Sequence, residues 1–334
     1  PPPSWKKERN ANASYDRIML LRKNRKAIFA VFVMVSGAAV LAFQYHHKTS
    51  FLRTNFTKQF LSPCLTPHCC QLNSSLSRRY YRITRSMMNE QELSFIEEIG
   101  GNLSSVQERI RLAAESTGAN ADAIDLVAVS KIKPVEALQA AYDCGQRRFG
   151  ENYVQEICEK APQLPEDILW HFIGPLQSNK AKALVKGVPN LAVVETVASE
   201  KVANRLDAGC EEAGRETPLD VFLQVDTSGE DTKSGLPAGS EELLALARRV
   251  AGGECPRLRL AGVMTIGAPG DLGAFDRLVE SRAAVAAALG LADPSELRLS
   301  MGMSGDFEEA VARGSTNVRV GTTIFGQRDY SKKK

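Results

Sequence analysis

Histidine is scarce in this chain: four in 334 residues, and beyond residue 87 only His171. A multi-histidine zinc site is therefore excluded from the C-terminal 247 residues. Basic surplus is missing there too. Residues 88–334 carry 27 Lys and Arg against 37 Asp and Glu, so no excess of cations is available to displace counterions over a broad nucleic-acid footprint. No nucleic-acid partner is expected. No G-x-G-x-x-G follows the first predicted strand, which leaves a dinucleotide site without its usual phosphate loop. Cysteines are few and widely spaced after residue 87, at Cys144, Cys158, Cys210 and Cys255. A domain of this size needs no disulfide staples, so free thiols in an intracellular setting are expected.

The N-terminal part lacks the opposite charge. Residues 1–87 carry 15 basic and 2 acidic side chains, and none is acidic between Arg17 and Asn89. An acid-poor, Arg- and Ser-rich composition is that of an organelle-targeting segment. Within it, Ala27 to Phe43 is a 17-residue apolar run broken only by Ser36 and Gly37, preceded by Arg22, Lys23, Arg25 and Lys26. That length is the lower limit for crossing a bilayer, and the flanking charge would hold this end on the cytoplasmic side. Residues 1–87 are thus expected to be a basic leader outside the fold, removed or over-extended, with an anchor at 27–43 as the alternative. Membrane contact is expected only if 27–43 is retained. The folded domain is expected at 88–330, in the cytosol or, behind a genuine leader, in a mitochondrion or plastid. Cys64, Cys69 and Cys70 flank His68, but one cysteine pair without a second is poor evidence for a metal.

Beyond residue 87, apolar spacing predicts a helix over 90–115, with Gly100-Gly101 interrupting it. Eight candidate strands follow at 125–130, 147–151, 169–174, 191–197, 220–226, 258–266, 296–301 and 317–321, their starts 21 to 38 residues apart. Amphipathic stretches fill the gaps. Pro134 suits a first helical turn, and Leu243, Leu246, Ala247 and Val250 share one face. Asp306 and Glu309 have capping-box spacing, with Gly314 closing that segment. Alternating β and α elements imply a parallel sheet with helices outside, and eight units in about 200 residues imply a closed (β/α)8 barrel. An open doubly wound sheet is the alternative.

Lys131 ends the first strand, where barrel enzymes place reactive groups, and an apolar strand behind it would favour the neutral amine needed for Schiff-base chemistry. Position alone would also suit a solvated loop lysine. The last two strands run into Met301-Gly302-Met303-Ser304-Gly305-Asp306 and Gly321-Thr322-Thr323. These are the loops where barrels bind phosphate: glycines let backbone N–H groups close in, and the Ser304 and Thr322 hydroxyls add donors. Arg319 lies two residues before Gly321, so strand alternation points both inward. A buried guanidinium needs a partner, either a carboxylate such as Glu151 or Asp226, or a ligand atom. A cofactor with an aldehyde, a ring nitrogen and a phosphate would use all three sites: pyridoxal 5′-phosphate.

At these residues the sequence resembles the pyridoxal phosphate homeostasis proteins, also called alanine-racemase N-terminal-domain-like proteins. The matching blocks are AVSKIKP (128–134), FGENY (149–153), WHFIGPLQSNK (170–180), QVDTSGEDTKSGL (224–236), LSMGMSGD (299–306) and GSTNVRVGTTIFG (314–326). The resemblance implies a single-domain modified barrel holding the cofactor on Lys131 as an internal aldimine. It implies Ser304, Gly321 and Thr322 at the phosphate, Arg319 at the pyridine nitrogen, and Asn152 and Met301 lining the pocket. One departure is Asp226, where asparagine is more usual.

His171, inside an apolar strand, suits a satisfied barrel histidine better than a catalytic base, and Lys180 suits either a mouth cation or a solvated helix start. The functional expectation is a carrier acting in vitamin B6 homeostasis without established turnover, monomeric, with apo forms of cofactor-dependent enzymes as recipients. An amino-acid racemase using Lys131 as one base is the alternative, although racemisation needs acids or bases on both cofactor faces and no accessory β-domain is expected. A class I aldolase-like lyase is a third reading.

Overall fold

The computed structural model describes residues 89–229, 235–268 and 270–327. The expectations placed on residues 1–87, including the apolar run at 27–43 and the cysteines around His68, lie outside the described residues. Among those described, no helix is long and apolar enough to cross a membrane.

Among the described residues nine strands form: β1 Asp125–Val129, β2 Arg148–Glu151, β3 Leu169–Phe172, β4 Leu191–Val197, β5 Leu219–Asp226, β6 Leu236–Pro237, β7 Leu258–Met264, β8 Arg298–Ser300 and β9 Asn317–Val320. Their order is β4-β3-β2-β1-β9-β8-β7-β5, and a β4–β5 pairing closes the ring. Every pairing is parallel, and β6 pairs only with β5, outside the ring. The fold is a closed eight-stranded parallel barrel with helices around it, a TIM-type α/β architecture. Parallel strands buried on both faces require continuous Val- and Leu-rich runs, which DLVAV and LAVVETV supply.

The α-helices of the described residues are α1 Glu90–Thr117, α2 Val135–Asp143, α3 Val154–Lys160, α4 Ala181–Gly187, α5 Glu200–Glu212, α6 Glu241–Ala251, α7 Gly273–Leu289, α8 Phe307–Ala312 and α9 Thr322–Phe325. Outward-pointing strand residues such as Phe149, Trp170, Phe172, Val194 and Val318 join the helix faces in one main core. Inside the barrel, Val193, Phe222 and Met264 make a small separate apolar cluster. The rest of the inward positions are largely polar, and they build the site.

Two local expectations are corrected. Helix α1 runs unbroken through Gly100-Gly101 for 28 residues. A capping box at Asn89 and Glu92 starts it, and Gly118 at φ 72° ends it. A mid-helix glycine costs only about 1 kcal/mol. Burial of Ile99, Leu103, Val106, Ile110 and Ala114 outweighs that. Asp306 makes no side-chain cap on α8. Its Oδ1 instead accepts the Met303 N–H at 2.6 Å, which ties down the preceding glycine loop.

Candidate functional site

The C-terminal ends of β1, β9 and β8 meet at one mouth. β1 and β9 are hydrogen-bonded neighbours, with Val127 opposite Arg319 and Ala128 opposite Val320. Ser300 on β8 lies opposite Asn317 on β9. Lys131 is half-buried in the turn that follows β1. The next residue, Ile132, has φ 62°, a left-handed backbone that is a genuine outlier for a β-branched side chain. Two residues on, Lys133 Nζ donates to the carbonyls of Phe325 (2.7 Å), Gly326 (3.0 Å) and Gln327 (2.7 Å). That lysine satisfies carbonyls at the end of α9 and ties the Lys131 turn to the element that opens at Thr322.

The loops after β8 and β9 touch one another. Ser304 Oγ accepts the Gly321 N–H at 3.1 Å. Gly302 takes φ 95°, and a Cβ there would lie 2.6 Å from Ala310 Cβ, so only glycine fits. A Cβ at Gly321 would lie 3.2 Å from the Val129 carbonyl oxygen. The fold therefore brings Ser304, Gly321 and Thr322 together beside the strand that carries Lys131. Asn152 follows β2; its carbonyl is so close to Gly174 that a Cβ there would lie 2.0 Å away. Asn152 Oδ1 is buried with no hydrogen-bond partner among the described residues. Met301 is fully buried in the main core, and its N–H donates to Asn317 at 3.2 Å. Lys180 is exposed at the start of α4.

Arg319 lies inside the barrel, 4% exposed. Its Nη2 donates to the Thr265 carbonyl at 2.6 Å and its Nη1 to Ser300 Oγ. Its carboxylate is Glu195 on β4, at 3.7 Å, and this corrects the expectation of Glu151 or Asp226. Strand β4 closes the barrel across from β9, a relation that only the ring creates. Glu195 accepts from His171 Nδ1 (2.6 Å), Asn317 Nδ2 (3.1 Å) and Ser300 Oγ (2.5 Å). Burial opposes its charge. The His171 hydrogen bond and charge, Arg319 and Ser300 outweigh that and hold the carboxyl below its ordinary value. Burial also pulls Arg319 below its ordinary value, against the attraction of Glu195 and Asp306. His171 is thus a satisfied barrel histidine. Its bond to the carboxylate places a proton on Nδ1.

Glu151 points outward, beneath the Lys131 turn. Its Oε1 accepts from Lys160 Nζ (2.7 Å) and Ser130 Oγ (2.7 Å), while Oε2 is buried with no partner among the described residues. Burial pushes this carboxyl up to about 7, although Lys160 pulls the other way. Asp226 closes β5 with an Asx turn, its Oδ1 accepting from Ser228 N–H (2.9 Å) and Gly229 N–H (3.2 Å). An anionic oxygen serves that turn as well as an amide oxygen does, so the departure from asparagine is absorbed locally.

Sequence reading missed Glu195, Ser300, Asn317, Lys133, Glu156 and Lys160. For Glu156 and Lys160 an available signal was their i,i+4 spacing on a helix. For Ser300 and Asn317 it was a polar residue at an inward position of an otherwise apolar strand, Asn317 two residues before the inward Arg319. Glu195, in LAVVETV, carried the same signal.

A family model described as "Alanine racemase, N-terminal domain" matches residues 101–329. The "Pyridoxal phosphate homeostasis protein" of Bos taurus is 46% identical over 249 residues, covering 70% of this chain and 89% of that protein. The Escherichia coli protein of the same name is 44% identical over 241 residues, covering 71% and 99%. A solved structure of PipY from Synechococcus elongatus with pyridoxal phosphate bound is similar at 31% identity and TM-score 0.54, covering 68% of this chain and all of PipY. The chain belongs to the alanine racemase N-terminal domain family and, within it, to the pyridoxal phosphate homeostasis proteins.

Proposed function

We propose that the barrel domain, residues 88–330, binds pyridoxal 5′-phosphate at its mouth through the Lys131 amine and serves homeostasis of that cofactor inside the cell. The observation that carries this reading is one adjacency. Lys131 leaves β1 beside the joined Ser304 and Gly321 loops, on hydrogen-bonded neighbouring strands. The residues fit the cofactor. Gly302 and Gly321 keep the loop backbones close where a Cβ would intrude, and the orphaned Asn152 Oδ1 is a buried acceptor ready for a ligand hydroxyl or bound water.

When bound, the cofactor supplies an aldehyde for reversible attachment to an amine and a ring that can delocalise charge. Lys131 is the attachment point. Ser304, Gly321 and Thr322 hold the phosphate with hydroxyl and backbone N–H donors. Arg319, its two terminal nitrogens fixed by Ser300 and Thr265, would serve the ring nitrogen as a charged donor. A donor there would leave that nitrogen unprotonated and the ring a weaker electron sink, which supports carriage over turnover. Met301 backs the pocket from the core. Apo forms of cofactor-dependent enzymes are the proposed recipients, and the carrier is proposed to act as a monomer.

Absorbance of the purified protein with the cofactor tests this. A visible band should appear, be fixed by borohydride, and map to Lys131 by peptide mass spectrometry. Lys131→Ala should lose it. Attachment at a different lysine, or no attachment, overturns the reading. Deuterium exchange at the α-carbon of free amino acids would overturn carriage in favour of racemase chemistry.

A further inference from the structure

Helix α3 holds the Lys131 turn from beneath with two side chains that the proposed site does not use. Glu156 Oε1 accepts the Ile132 N–H at 2.6 Å. The same oxygen accepts from Lys160 Nζ at 2.6 Å. Lys160 Nζ also donates to the Ser130 carbonyl at 2.8 Å and to Glu151 Oε1 at 2.7 Å. The carbonyl before Lys131 and the amide after it are therefore each gripped by α3, and the two gripping side chains hold each other.

Lys160 is only 6% exposed, and a buried ammonium is retained only where it is paired and hydrogen-bonded. Here its three acceptors are one main-chain carbonyl and two carboxylates. The residue between the grips is Lys131, and the gripped amide belongs to Ile132, at φ 62°. A β-branched residue stays in that region only where its surroundings over-determine it, and such strain concentrates at functional sites. A plain structural ion pair would not need to engage the backbone on both sides of one residue.

We infer that Glu156 and Lys160 are positioning residues that keep the Lys131 turn in its strained left-handed form, presenting the amine toward the Ser304 and Gly321 loops. This rests on the proposed attachment at Lys131. In that step the amine adds to the aldehyde carbon, the nitrogen gives up two hydrogens, and the carbonyl oxygen leaves as water to form a carbon–nitrogen double bond.

The test compares two probes, pyridoxal 5′-phosphate and pyridoxine 5′-phosphate, the second having an alcohol in place of the aldehyde. Glu156→Ala should slow attachment of the first roughly tenfold, the size expected from releasing one strained residue. It should leave affinity for the second unchanged and speed hydrogen exchange at the Ile132 amide in the ligand-free protein. Glu156→Gln, which keeps an acceptor, should attach at close to the wild-type rate. Adding Ile132→Gly to Glu156→Ala should restore attachment, because glycine takes this φ without strain. The inference is overturned if Glu156→Ala attaches at the wild-type rate. It is equally overturned if both probes weaken together and Ile132→Gly restores nothing, which is the mark of a merely structural pair. A failure of the underlying reading appears earlier and separately, as wild-type protein that never attaches the aldehyde at Lys131.

Discussion

Two glutamates sit on opposite sides of the same barrel wall, both fully buried, and they answer burial in opposite directions. Glu195, inside, is held below its ordinary value; Glu151, outside, is pushed up to about 7. Desolvation is the largest influence on each, so burial does not separate them. What does is the donor set. Glu195 receives bonds on both oxygens from three side chains, with the Arg319 guanidinium 3.7 Å away. Glu151 has donors on one oxygen only, and its second has none among the described residues. A buried carboxylate stays ionised when its lone pairs are filled, and a half-filled one titrates near neutrality.

The sharpest way to break this contrast is Glu195→Ala. It strands the Arg319 charge inside the barrel, and urea denaturation should show a loss of about 3–5 kcal/mol. In the wild type the contribution of Glu195 is full above the ordinary carboxylate range and is lost as pH falls through its lowered value. Glu151 gives the reverse slope. Its folded form holds the proton longer than its unfolded form, so stability declines as pH rises from the ordinary carboxylate value to about 7 and is level above that. Glu151→Gln should remove that slope while costing on the order of 1 kcal/mol. Melting temperatures across this pH window decide it, and an unchanged slope would place the titrating group elsewhere. The smallest effect sets the scale. Gly101→Ala, on an exposed position of α1 with no atom within 4 Å of the added Cβ, should gain about 0.5–1 kcal/mol by thermal denaturation.

Much of the fold was legible because strands and helices follow from local pattern. Runs such as DVFLQVD and the 21- to 38-residue spacing of strand starts led to eight parallel strands and a closed ring. Helix α1 was legible in outline but not in continuity, because tertiary burial outweighed two glycines. At the mouth, Lys131, Ser304, Gly321 and Thr322 could be named from position and residue type. What held them there could not. The Glu156–Lys160 grip depends on α3 packing under a turn made 24 residues earlier in the chain.

By itself the sequence determined the parallel barrel, the placement of a lysine at the first strand's exit, the glycine and hydroxyl loops after the last two strands, and the family. Periodicity and short motifs carry that information because they depend on neighbours along the chain. Only the tertiary structure decided which carboxylate neutralises Arg319, why Glu151 and Glu195 titrate apart, and how the Lys131 turn keeps a left-handed isoleucine. Those outcomes depend on donors and acceptors brought together by closing β4 onto β5 and laying α3 against β2. Electrostatic pairing acts over a few ångströms of space, whatever the separation in sequence.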